Sequence, residues 1–185
     1  MSVSKPDIDV IIPVYNGADW LAATLDSVVR QTHVPARIIV VDDGSAVGSW
    51  DMAGIYPQVT LLHNPGKGSS MARNHGLQAS GAPYTAFMDH DDLWHPRHLE
   101  ILIKNLTENP DHAGIASCYQ IFHDGQTPHF DVSDTGCHTV DLQETYPVIT
   151  GEFLSCAFLF KRAFIDRVGG WPLHPKGGIG LCPLV

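Results

Sequence analysis

DVIIPVY, residues 9–15, is an almost unbroken apolar and β-branched run that stops at Asn16-Gly17. A strand with one wet face would alternate apolar and polar residues. This one does not, so it is expected to be buried on both faces, as in a parallel sheet, with a turn after it. From Ala18 the spacing changes. Trp20, Leu21, Thr24, Leu25, Val28 and Val29 recur at the i, i+4, i+8 spacing of an amphipathic helix stripe. Ile38 to Val41 is a second apolar run, ended by Asp42-Asp43-Gly44-Ser45. Strand, helix, strand in that order is the unit from which α/β folds are built.

Further along the chain the same alternation predicts a short helix near Val47 to Ile55 and a strand from Val59 to His63. A loop at 64–68 follows, then a helix from Ser70 to Ala79 and a strand from Tyr84 to Met88. Pro96 suits the first turn of a helix whose apolar face is Leu99, Leu102, Ile103 and Leu106. Ala113 to Phe122 is expected to be another strand and Phe153 to Lys161 a return to the sheet. Arg162 to Val168 reads as a short helix closed by Gly169-Gly170. The expected fold is therefore α/β, one three-layer Rossmann-like domain over 1–185 with a mainly parallel central sheet. Ligands of such sheets sit beyond the carboxyl ends of the strands. Residues 123–147 hold five carboxylates, three histidines and no lysine or arginine, and read as a long surface excursion. The tail, 172–185, is rich in proline and glycine without periodicity, so the C-terminal part of the fold is expected to be incomplete.

Composition agrees with one globular domain: 185 residues, 44% hydrophobic and 17% charged. Twenty acidic against eleven basic side chains give a net charge of −9, which disfavours a nucleic-acid partner or polybasic membrane binding. Cys118, Cys137, Cys156 and Cys182 form no Cys-x-x-Cys pair; isolated reduced thiols are the expectation, two disulfides the alternative. The N-terminus does not read as a signal peptide, and the longest near-continuous apolar stretch, Phe153 to Phe160, is too short to cross a bilayer.

The strongest chemical signal is Asp89-His90-Asp91-Asp92, directly after the Tyr84 to Met88 strand. Three carboxylates in four positions repel one another, so a cation is expected among them, and Mg2+ or Mn2+ suits oxygen ligands best. The competing reading is an acidic turn that caps the following helix. Asp42-Asp43-Gly44-Ser45 ends its own strand on the same edge, where an aspartate can accept hydrogen bonds from a ribose hydroxyl or a base N–H. In Gly66 to Asn74, Gly68 follows Lys67 where a Walker loop needs serine or threonine, and Met71 stands where a dinucleotide fingerprint needs its third glycine. What remains there is a loop with one cation, then a helix carrying Arg73 and Asn74 near its N-terminus, where a diphosphate could be met. A solvent-facing Arg73 is the competing reading. His90, His95 and His98 lack zinc-ligand spacing.

Five segments stand in one order: Val10 to Asn16, Val41 to Ser45, Gly68 to Asn74, Phe87 to Asp92 with Trp94 and Pro96, and Gly169-Gly170-Trp171. Together they resemble family 2 glycosyltransferases of the GT-A fold over about residues 8–171. A sugar nucleotidyltransferase would instead open on a glycine-rich turn, where Pro13-Val14-Tyr15-Asn16 stands. The resemblance implies inverting transfer of a sugar from a nucleoside-diphosphate sugar, a UDP-sugar foremost, to a hydroxyl of a saccharide or lipid-linked acceptor. Mn2+ or Mg2+ would assist, and envelope polysaccharide assembly would be the setting. By position, Pro13, Tyr15 and Asn16 would border the nucleotide, Asp42 would hold the base, and Asp43, Lys67 and Arg73 would complete the nucleotide-binding set. Asp89 would face the ribose and, with Asp91, the metal. The nucleotide-binding half would run over about 8–110 and the acceptor side over about 111–171. A cytoplasmic location is implied, with attachment to the inner face of the membrane left open. The family places a base carboxylate shortly after the Gly-Gly-aromatic motif; no Asp or Glu follows Asp166 here, so no base is assigned. The alternative is a chain that binds the donor without turnover.

Overall fold

The computed structural model describes residues 5–46, 56–119 and 154–173. The expected Val47 to Ile55 helix, the 123–147 excursion, Cys137 and Cys182 lie outside them. Six strands form one sheet: β1 (Ile8–Val14), β2 (Arg37–Asp42), β3 (Val59–His63), β4 (Tyr84–Phe87), β5 (Gly114–Ala116) and β6 (Phe158–Lys161). Their order is β3-β2-β1-β4-β6-β5. β1 pairs in parallel with both β2 and β4, and β2 with β3, while β6 runs antiparallel to β4 and β5.

The double-sided apolar reading of β1 holds. Ile8, Val10, Ile12 and Val14 face one core with Leu21, Leu25 and Val28 of α1 (Ala18–Val29) and Leu99, Leu102 and Leu106 of α3 (His98–Glu108). Ile11 faces the other with Ala72 and Leu77 of α2 (Ser69–Ala79), Ile165 of α4 (Arg162–Val168), Phe160 and Trp171. Helices thus cover both faces, the three-layer arrangement expected. Gly76 lets α2 lie close on the sheet: a Cβ there would stand 2.5 Å from Ile11 Cγ2. Gly169, at φ 82°, ends α4 in the left-handed region, and the Gly170 N–H reaches back to the Ile165 carbonyl.

Two boundaries differ from expectation for visible reasons. Of the strand expected over Ala113 to Phe122, whose last residues 120–122 lie outside the described ones, the part up to 119 pairs only over Gly114–Ala116, because its partner β6 begins at Phe158 and residues Ser155–Ala157 before it form a 3-10 turn. The same turn shortens the return segment expected from Phe153. Pro96 precedes its helix instead of sitting in its first turn: α3 starts at His98, and the Pro96 carbonyl accepts the Thr32 N–H at 2.9 Å.

One buried charge belongs to the opposite end of the sheet. Asp9, inaccessible to solvent, accepts from Ser80 Oγ, the Gly81 and Ala82 N–H groups and Arg37. Burial would raise its pKa, but those hydrogen bonds and the guanidinium outweigh it and hold the carboxyl below the usual range. Asp9 fastens strand starts together and takes no part in the site.

Candidate active site

β1, β2 and β4 deliver their carboxyl ends side by side, because β1 lies between the other two with Val14 opposite Asp42 and Ile11 opposite Phe87. The loops after these three strands therefore share one edge. Pro13 is buried within β1 opposite Val41. Tyr15 is 58% exposed. Asn16 takes φ 51°, a left-handed conformation that asparagine tolerates. Its N–H donates to Ser45 Oγ at 2.9 Å and its Oδ1 accepts the Ala46 N–H at 3.0 Å, which stitches the β1 loop to the β2 loop.

Asp42 is buried, and each carboxylate oxygen is 3.3 Å from the Ser45 N–H. The His63 ring lies 3.8 Å from it. Asp43 turns to the neighbouring loop and accepts the Gly68 N–H at 2.9 and 2.8 Å, with the Asn64 side-chain amide as a second donor. It thereby fastens the loop that carries Lys67, whose side chain is exposed.

Arg73 overturns the solvent-facing reading: it is 2% exposed. Its Nη2 donates to Asp89 Oδ1 and to Ser155 Oγ at 3.2 Å, and Ser155 Oγ donates to Asp89 Oδ2 at 2.9 Å. Both carboxylate oxygens of Asp89 are fixed by this triangle. The guanidinium carbon stands 4.8 Å over the Trp171 ring, which offers its electron-rich face to a buried cation. Arg73 Nε and Nη1 and Trp171 Nε1 are buried donors without acceptors. Asn74, expected to help meet a ligand, is committed elsewhere: it exchanges two 2.8 Å hydrogen bonds with the Trp171 backbone.

Past Asp89 the loop descends onto α1. Asp91 is exposed, His90 packs over Gly17, and Asp92 is half-buried. Burial pushes the Asp92 carboxyl above the usual range and repulsion from Asp89 and Asp91 adds to it, while a hydrogen bond from the Cys156 thiol opposes it. The helix-capping reading of the cluster is not what the structure shows, since the Leu99 N–H at the start of α3 is taken by Gln31 Oε1 at 3.0 Å. Among the described residues no three His, Cys, Asp or Glu side chains could hold a metal ion by themselves. A protein cage is thus not the fit. One exposed carboxylate, Asp91, with waters and substrate phosphates completing the shell, is how a hard divalent cation is commonly held.

Sequence reasoning missed Ser155, which approaches from 66 residues beyond Asp89, and the polar work of Thr24 and Ser27 on α1 and of Gln31 just past it. No local signal marks Ser155. For α1, hydroxyls among apolar residues were a visible hint.

The sequence profile of Glycosyl transferase family 2 matches residues 9–168. This chain belongs to that family. The uncharacterized glycosyltransferase YibD of Escherichia coli K12 is 36% identical over 122 residues, covering 64% of this chain and 35% of YibD. The chain thus spans about a third of that relative's length. Among solved structures, the mannosyltransferase PcManGT from Pyrobaculum calidifontis, in complex with GDP-Man and Mn2+, superposes with TM-score 0.68 at 22% identity, over 92% of this chain and 48% of that one. TarS 1-349 of S. aureus in complex with UDP-GlcNAc gives 0.63 at 19% identity, over 90% and 48%. At those identities the likeness speaks for the fold, which is GT-A. No helix among the described residues is long and apolar enough to cross a membrane.

Proposed function

We propose that this chain supplies the donor half of an inverting sugar transfer from a nucleoside-diphosphate sugar, a UDP-sugar foremost, to an acceptor hydroxyl. The observation that carries it is the convergence of Asp42 and the Asp89–Asp91 loop from either side of β1 onto one sheet edge. Complexes of the fold neighbours with GDP-Man and Mn2+ and with UDP-GlcNAc support the ligand class.

In this reading Tyr15 and Asn16 border the base and Asp42 accepts its N–H. Asp43 holds the Lys67 loop over the nucleotide. Arg73 and Ser155 orient Asp89 toward the ribose, and Asp91 holds the divalent cation. That ion, when bound, neutralises charge gathering on the departing diphosphate. The protein's own share is orientation: two carboxylates at fixed spacing along the donor, one per strand end.

Calorimetric titration with UDP, GDP and ADP in Mn2+ tests this directly. Saturable binding of one of them, weakened in Asp91→Asn, is the expected outcome; no binding of any would refute it. A second reading, donor binding without turnover, draws on Asp166 being paired to Arg162 at 2.7 Å on α4. Transfer of labelled sugar by this chain would rule that reading out.

A further inference from the structure

α1 presents two polar side chains at i and i+3, Thr24 and Ser27, to the loop that follows β4, and Gln31, just past the helix end at Val29, adds a third. Thr24 is fully buried, yet its hydroxyl lies 2.7 Å from the His90 carbonyl oxygen and 3.0 Å from that of Asp92. One proton serves two acceptors, and those acceptors flank Asp91 on either side. Ser27 Oγ accepts the Trp94 N–H at 3.2 Å and donates to the Thr24 carbonyl at 2.8 Å. Gln31, 3% exposed, donates to the Ser27 and His95 carbonyls at 3.0 and 2.8 Å and accepts the Leu99 N–H. The loop is also pressed down at its start, where a Cβ on Gly17 would stand 1.9 Å from His90 Cδ2.

Helix packing alone would be served as well by valine at 24. The hydroxyl therefore answers to the loop, whose part-buried backbone carbonyls at 90 and 92 take it as their donor. We propose that Thr24, Ser27 and Gln31 are positioning residues that hold the Asp89–Asp92 loop so that Asp91 faces the diphosphate-bound cation, with Thr24 as the principal rung. This rests on the donor-binding reading above and names how its cation end is set. The neighbouring pair Thr32 and Glu100 continues the same seam, at 3.0 Å.

Thr24→Val keeps the volume and removes the hydroxyl; Thr24→Ser keeps the hydroxyl. Two readouts apply: UDP affinity by calorimetry with and without Mn2+, and hydrogen exchange of the amides at 90–95 without ligand. Thr24→Val is expected to weaken the Mn2+-supported affinity about tenfold, the size of a lost outer contact behind a metal ligand. The metal-free affinity should stay within about twofold, exchange at 90–95 should speed up, and Thr24→Ser should restore both. A folded Thr24→Val with parental Mn2+-supported affinity overturns the proposal, as does an equal fall with and without metal. If Thr24→Val does not fold, Ser27→Ala, which frees the Trp94 N–H and removes one donor from the Thr24 carbonyl, is read by the same criteria. Should the parent chain bind no nucleotide at all, the functional reading falls by itself. The ladder is then judged by exchange alone, and unchanged exchange at 90–95 overturns it.

Discussion

Replacing Gly76 with alanine tests whether α2, the helix that carries Arg73, is seated as closely as described. The new methyl would stand 2.5 Å from Ile11 Cγ2 and 3.3 Å from Val41 Cγ2, against 3.4–4 Å for ordinary contact. Ile11 is β-branched and fully buried, so it cannot swing aside, and the helix must retreat by about 1 Å. Overpacking of that kind costs about 1–3 kcal/mol, and the better helix propensity of alanine returns about 1 kcal/mol. The net expectation is a loss of up to about 2 kcal/mol, or up to roughly 8 °C in melting temperature for a chain of this size. Circular dichroism melts of parent and variant measure it. Because Arg73 sits three residues earlier on α2, nucleotide affinity should fall as well. A Gly76→Ala protein that melts higher than the parent, as at an exposed helical site, would refute the close seating.

Two other outcomes follow from burial. His98 stacks on Trp94 at 4.5 Å, and burial, with the His95 charge adding to it, lowers its pKa from 6.5 to about 3. Below pH 6.5 the unfolded chain takes up a proton that the native chain refuses, so this group's stability is present above that pH and is lost on acidification. The loss reaches about 2 kcal/mol near pH 5. Urea melts across that range should show His98→Phe losing less than the parent; equal losses would contradict the burial account. Cys118 is exposed while Cys156 is buried with its thiol pKa pushed well up by burial and by Asp92. Mass spectrometry after brief alkylation should find Cys118 modified and Cys156 untouched until denaturant is added, and early labelling of Cys156 would count against the packing of β6.

The parts of the fold legible in the sequence were those with a short-range cause. The unbroken run Val10 to Val14 announced a strand buried on both faces, and the spacing of Leu21, Leu25 and Val28 announced the helix above it. Asp42 and Asp89 were legible as strand-end carboxylates, since each directly follows apolar residues. What escaped was set through space. Arg73 is buried because Ser155 and Trp171 close over it from more than eighty residues away, and nothing around Arg73 encodes that. Thr24 counted as one more residue of the apolar stripe, although its hydroxyl partners lie 66 and 68 residues on. Pro96 misled for the same reason: its carbonyl is held by the Thr32 N–H and the Leu99 N–H is taken by Gln31, so the helix starts later than its local signals suggest.

A crystal of this chain grown with UDP and Mn2+, with data collected at the manganese absorption edge, interrogates the shared strand-end edge most directly. The anomalous peak should lie beside Asp91 and the diphosphate, with the base against Asp42 on the far side of β1. A peak elsewhere, or a nucleotide that touches only one of the two strand ends, would contradict it.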